Sequence, residues 1–142
     1  MAEQPRDGNC IFCRIAAGEI PCHRVYEDGA VLAFLDVGPL SPGHTLIIPR
    51  GHWRTLDEVP AEVAGACMAI APRLCKAVMA ATGATAWNIL QNNGKAAHQA
   101  VDHVHFHIIP KAGTQGLGID WPAGKLDAAE GKRLAGVIAG KM

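Results

Sequence analysis

The sequence predicts an α+β domain: an antiparallel sheet of about five strands, one long helix, and shorter helices towards both ends. Three observations predict it. Short apolar runs separated by Gly, Pro and Asp turns recur over residues 24–49 and again over 87–111. Between them lies a single stretch with apolar residues at helical spacing. Three histidines, His103, His105 and His107, occupy every second position ahead of Ile108-Ile109-Pro110. Strands joined by short turns pair antiparallel, whereas parallel strands need a crossover helix for every pair.

The polar residues 1–9 are expected to be a disordered leader. Cys10 to Gly18 reads as one helical turn or more, closed by Gly18. Arg24–Glu27 and Val31–Val37 flank Asp28-Gly29, a hairpin signal. Pro39 and Ser41-Pro42-Gly43 form a turn into a third strand, Thr45–Pro49, which the proline ends. Thr55-Leu-Asp-Glu58 resembles a capping box, and Val63, Cys67, Ile70, Leu74 and Val78 continue a helical period up to Gly83. Pro72 is expected to kink or interrupt this helix. Trp87–Gln91 is a fourth strand, and the polar loop Asn92–Gln99 feeds the histidine strand. The expected sheet is a meander with its helices on one side. In residues 112–142, Gly113, Gly116 and Gly118 precede Trp121-Pro122, and Asp127-Ala-Ala-Glu130 caps a short helix bearing Leu134, Val137 and Ile138. The expected organisation is a leader over 1–9, one domain over 10–111 and an extension over 112–142.

Thirteen Lys and Arg balance thirteen Asp and Glu in the 142 residues, so no global field draws the chain to nucleic acid or to an anionic membrane. No apolar run is read as a membrane span and no leader as a secretion signal, which makes a cytoplasmic protein the expectation. Of the five cysteines, Cys67 and Cys75 fall on the helical apolar period and Cys22 stands alone, a pattern unlike a disulfide framework.

The chemistry concentrates at the histidines. On a strand, alternate side chains share a face, which sets three imidazoles opposite Val104, Phe106 and Ile108. Imidazole titrates near neutral pH and serves as nucleophile, general acid, general base or metal ligand. Three imidazoles and a water also describe a hydrolytic metal site, and that reading competes. Cys10-Ile-Phe-Cys13 offers half of a tetrahedral zinc site; a redox pair and two plain core cysteines are its rivals. His44 opens the third strand and His52 follows it, and neither decides anything alone. The amides and Gly94 of the Asn92–Gln99 loop could hold an anion. Neither a Walker spacing nor a G-x-G-x-x-G after a strand is present.

Taken together, His103-x-His105-x-His107, the upstream Ser41-Pro-Gly-His44, Asn92-Asn-Gly and Cys10-Ile-Phe-Cys13 resemble the histidine triad (HIT) superfamily, and within it the small bacterial branch related to the Hint group. The resemblance runs in order from about Cys10 to Lys111. It implies a HIT-like fold, a homodimer, and a nucleoside phosphoramidase that cleaves purine nucleotides at the α-phosphate and releases AMP or GMP. By motif position, His105 would be the nucleophile that becomes nucleotidylated, His107 would contact phosphate oxygens, His44 would lie near the leaving group, and Gln99 would bind the phosphoryl group. Asp36 would hold the ribose, with Phe12, Ile15, Ile20, Phe34 and Val37 around the base and Asn92 supporting the loop. Cys10, Cys13, His52 and His103 would bind a structural zinc. His98 and Ala100 depart from the family pattern, which has glycine and often serine there. Two alternatives accompany this reading: a hydrolase of dinucleoside polyphosphates, and a nucleotide-binding protein with vestigial activity.

Overall fold

A computed structural model describes residues 3–142. It consists of α1 (Ile11–Ala16), β1 (Arg24–Glu27), β2 (Val31–Leu35), β3 (Thr45–Pro49), α2 (Ala61–Thr82), β4 (Ala86–Gln91), β5 (Phe106–Lys111) and α3 (Ala128–Ala139). The α+β class with five antiparallel strands agrees with the sequence reading, and the β1–β2 hairpin, β3 and α3 fall where the turn and capping residues place them. Asp28 closes the hairpin by accepting the N–H groups of Ala30 at 2.7 Å and Val31 at 2.8 Å. Asp127 caps α3 by accepting Glu130 N–H at 3.0 Å.

The strand order is β1-β2-β3-β5-β4, so the sheet is not the simple meander expected. The 22-residue α2 runs about 33 Å at 1.5 Å per residue and delivers the chain two strand positions beyond β3. β4 forms there, and β5 returns antiparallel to fill the gap, pairing with β4 from Ala86↔Lys111 to Gln91↔Phe106 and with β3 at Thr45↔Ile108.

Helices cover both faces of the sheet rather than one. Val31, Ala33, Ile47, Phe106 and Ile108 pack against Cys67, Ile70, Leu74 and Val78 of α2. The alternate residues Leu32, Phe34, Leu46 and Ile48 face Phe12, Cys13 and Ile15 of α1. This double covering explains why β2 and β3 read as continuous apolar runs, and each fully buried Leu or Ile contributes about 1.5–3 kcal/mol.

Three local expectations change. Thr55-Leu-Asp-Glu58 does not cap α2: Thr55 Oγ1 donates to Asp57, Glu58 accepts Arg54 N–H, and the segment makes a single 3₁₀ turn before α2 starts after Pro60. Pro72 leaves α2 unbroken, because it lies on the exposed side and the carbonyl deprived of its partner, that of Met68, belongs to an exposed residue. Among the described residues, α2 is also long and apolar enough by composition to cross a membrane, contrary to the expected absence of such a run, yet it lays its apolar stripe on the sheet. Ahead of α1, Pro5 O accepts His52 N–H at 2.7 Å, Arg6 pairs with Glu19, and Cys10 N–H donates to Asp7 O at 3.0 Å.

Candidate active site

The histidine run is only partly a strand. β5 begins at Phe106, while His103 to His105 approach it in irregular backbone anchored by Val104 N–H donating to Trp53 O at 2.7 Å. This places His103 and His105 at the entry to a central strand, fully buried or nearly so at 0% and 5% exposure. The Phe12 ring of α1 meets both edge-on, with centroids 5.8 Å from His103 and 5.1 Å from His105.

His105 Nδ1 lies 2.7 Å from the carbonyl oxygen of His103, which can only accept, so Nδ1 carries the proton and Nε2 is bare. Burial lowers the His105 pKa, the His103 carbonyl and the more distant Asp36 opposing it in part, and the ring is held neutral. The neighbouring His107 ring is centred 4.9 Å away, and burial, with His105 and His44 adding to it, lowers its pKa to about 4. His107 Nδ1 is 2.8 Å from His44 Nε2, and Asp36 Oδ2 is 3.5 Å from that same nitrogen. Burial also lowers the His44 pKa against the pull of Asp36.

Two cavities meet at His107. One, of about 340 Å³, is lined by Phe12, Ile15, Ile20, Phe34, Asp36 and Val37 together with His105 and His107. The other, of about 640 Å³, is lined by Leu40, His44, Asn92, His98, His107 and the segment Gly116–Asp120. The first is a narrow, mostly apolar slot with a carboxylate at its edge, and the second is wider and more polar.

A third cluster lies behind the histidines. The ligand atoms of Cys10, Cys13, His52 and His103 fall within 4.8 Å of one another and could hold a metal ion. Cys13 Sγ is 3.4 Å from His52 Nδ1 and 3.5 Å from His103 Nδ1, and Cys10 Sγ is 3.5 Å from His103 Nδ1. A tetrahedral zinc with ordinary Zn–S and Zn–N bonds has S···N edges of about 3.5 Å. His103 Nε2 lies 2.9 Å from Pro49 O and donates to it, leaving Nδ1 as the free ligand atom. Burial pushes the Cys13 thiol pKa up, so a cation is what would hold this sulfur as a thiolate.

Residues 17–114 match the model of the HIT domain. The chain belongs to the HIT family. Over 135 residues, covering 94% of this chain and 98% of the relative, it is 47% identical to the adenosine 5'-monophosphoramidase hnt1 of Schizosaccharomyces pombe. The crystal structure of a HIT family protein from Bacillus anthracis superposes with a TM-score of 0.92 at 37% identity, covering 95% of this chain and 98% of that one. A zinc-bound histidine triad family protein from Mycobacterium smegmatis gives a TM-score of 0.72 at 36% identity, covering 89% of each chain.

Within the HIT fold of this chain, one residue singled out by sequence faces elsewhere. Gln99 is 4% exposed, and its side chain serves the scaffold: Oε1 accepts Gly94 N–H at 2.7 Å, while Nε2 donates to Arg54 O at 2.6 Å and Val101 O at 3.0 Å. With both amide hydrogens and the oxygen engaged, Gln99 orients the loop, and it lines neither cavity. Asn92 lines the wider cavity and donates to His98 O at 3.3 Å. His98 sits at φ 65°, the one non-glycine positive φ among the described residues, where a glycine would be at ease. Ala100 lines the narrow cavity.

Sequence reasoning missed the contribution of the extension. Its segment Gly116–Asp120 forms a wall of the wider cavity, and Gly116 N–H donates to Leu40 O at 3.1 Å to hold it there. Gly116 has φ +123°, and a Cβ there would lie 2.8 Å from Pro110 O, so only glycine fits this fold-back. The glycines of residues 113–118 were the available signal.

Proposed function

We propose that this HIT-family protein is a nucleoside phosphoramidase that transfers a purine nucleoside monophosphate from an α-phosphate first to His105 Nε2 and then to water. The observation that carries it is His105 itself: a neutral imidazole whose Nδ1–H is tied to the His103 carbonyl, leaving Nε2 bare, on the wall of the narrow slot beside His107, where the wider cavity begins. In the first step the bond from Nε2 to phosphorus forms as the bond to the leaving nitrogen breaks, and the leaving amine takes up a proton from water as it departs. In the second step water attacks, its proton is released, and the nucleoside monophosphate leaves. The base would enter the slot that Phe12 and Phe34 line together, the ribose would meet Asp36, and the leaving group would point into the wider cavity past His44 and Asn92. His107 would supply a hydrogen-bond donor to the phosphoryl oxygens, where charge accumulates. The relative named as an adenosine 5'-monophosphoramidase supports this assignment.

In the same reading, Cys10, Cys13, His52 and His103 bind zinc, supported by the M. smegmatis protein described as zinc-bound. Four protein ligands close the coordination sphere, so the ion would contribute folding energy and hold the entry to β5. We also read the protein as a homodimer. β4 is an edge strand exposing Trp87 and Ile89 beside Met68 and Pro72 of α2 around a groove of about 670 Å³, a surface suited to a second copy of itself. Five free cysteines fit the reducing cytoplasm, where this reading places it.

The test is a rapid quench of the full chain with an adenosine phosphoramidate, followed by intact-mass and peptide mass spectrometry. The expected result is release of adenosine monophosphate with an adenylyl adduct on His105, lost together with turnover in His105→Ala. Undiminished turnover in His105→Ala refutes the mechanism, and a larger kcat/KM for a dinucleoside polyphosphate than for any phosphoramidate moves the protein to the other hydrolase class.

A further inference from the structure

Asp36, His44 and His107 bring three polar side chains together in the catalytic region, and by composition the group suits a metal ion as well as a chain of proton donors. One backbone group decides between the two. Leu40 N–H lies 3.1 Å from His44 Nδ1 and can only donate, so Nδ1 must be an unprotonated acceptor. A neutral His44 therefore carries its proton on Nε2. A metal bound at Nε2 would force the proton onto Nδ1, where it would face the Leu40 N–H. The donor set thus favours hydrogen bonding over coordination.

The consequence passes to the next ring. His44 Nε2–H points at His107 Nδ1, 2.8 Å away, with Asp36 Oδ2 at 3.5 Å as a weaker second acceptor. His107 Nδ1 is then an acceptor too, and its proton sits on Nε2. We propose that the Leu40 amide makes His44 a positioning residue: it fixes the proton on His44 Nε2, which holds His107 as an Nε2–H donor. The turn that presents Leu40 is itself anchored, since Ser41 Oγ donates to Pro110 O at 2.6 Å and Leu40 O accepts from Gly116 at 3.1 Å. The order of donors runs Leu40 to His44 to His107 to substrate, separate from the His105–His103 pair that leaves the nucleophile bare. His44 acts through His107 and does not need to touch the leaving group. The burial that lowers the pKa of both rings keeps them neutral and is consistent with this order.

The kinetic part of this inference rests on the proposed phosphoramidase activity, whereas the tautomers can be read without any turnover. Long-range proton–nitrogen NMR on the full chain labelled with ¹⁵N-histidine should show His44 and His107 each with a protonated Nε2 and a bare Nδ1. In His44→Phe, which keeps a ring but removes the donor, His107 should become a mixture of tautomers while the His103 and His105 signals hold their places. With an adenosine phosphoramidate, kcat should fall about tenfold, as expected for one lost hydrogen bond acting in the transition state, with KM changed less than about twofold. A proton on Nδ1 of either His44 or His107 in the unaltered protein overturns the proposal. So does a His44→Phe chain in which the His107 tautomer and kcat are both unchanged. The expected tautomers without turnover of any phosphoramidate would support the donor order and remove the proposed function.

Discussion

Replacing His107 by glutamine should remove a defined part of the acid sensitivity of this fold. In the folded chain, burial, with His105 and His44 adding to it, holds the His107 pKa at about 4, against 6.5 for an ordinary histidine. Because the folded pKa is depressed, the folded state binds this proton more weakly than the unfolded state. The resulting stability is fully present above about pH 6.5 and is lost as pH falls towards 4. The gap between 6.5 and about 4, at 1.36 kcal/mol per pH unit, sets a ceiling of about 3 kcal/mol, of which about 2 kcal/mol is already gone at pH 5. Glutamine does not titrate, and its Oε1 can accept from His44 in place of Nδ1. His103, also held at about 4, is common to both chains and cancels in the comparison. Urea unfolding of the two chains at pH 7.5, 6 and 5 measures the difference. Wild type should lose about 2 kcal/mol relative to His107→Gln between pH 7.5 and 5. Parallel loss of stability in the two chains would refute the reasoning that burial keeps this ring neutral.

Three more outcomes follow from the geometry. Cys13→Ala should abolish stoichiometric zinc and lower the stability by at least about 3 kcal/mol, or roughly 6–12 °C in Tm; metal analysis and calorimetry check it, and an unchanged zinc content would sink the ligand assignment. Gly116→Ala should cost only about 1–2 kcal/mol of stability, because the strained segment can detach. The same change should lower kcat/KM for phosphoramidates with bulky amines more than for the parent amide, and an equal effect on both would argue against the extension as a wall of the leaving-group cavity. Ile89→Lys on the β4 edge should yield monomers by light scattering with the fold intact; a persistent dimer would place the interface elsewhere.

The parts of the fold that the sequence foretold are those decided by neighbours in the chain. Asp28-Gly29 makes its hairpin, Pro49 ends β3, Gly83 ends α2 at φ 77°, and Asp127 caps α3, each through local hydrogen bonds or backbone sterics. Decisions made across space were not legible. The insertion of β5 between β3 and β4, the covering of the second face by α1, and the tolerance of Pro72 depend on what packs where. The site divides along the same line. Alternation suggested a shared face for the histidines, yet the strand begins only at Phe106, since His103 and His105 are drawn off by the Cys10–Cys13 cluster and a backbone carbonyl. Gln99 illustrates the limit: an amide in a polar loop reads as a ligand until its partners turn out to be Gly94, Arg54 and Val101. The apolar set from Phe12 to Val37 does gather in one slot, because α1 and β2, separated in the chain only by β1, pack together in one apolar cluster.

The place of β5 in the sheet also bears on how the molecule comes into being. Until Phe106–Lys111 has been synthesised, β4 has no partner and β3 offers an open edge, with Thr45 waiting for Ile108 more than sixty residues downstream. Closing so long a loop makes this pairing a late event in folding. The strand that completes the sheet is the one that follows His105 and carries His107, so a nascent or truncated chain ending before it keeps His105 but lacks both His107 and the strand that seats the two rings side by side. The same six residues therefore complete the sheet and, in the proposed mechanism, bring the phosphoryl donor His107 into place beside His105.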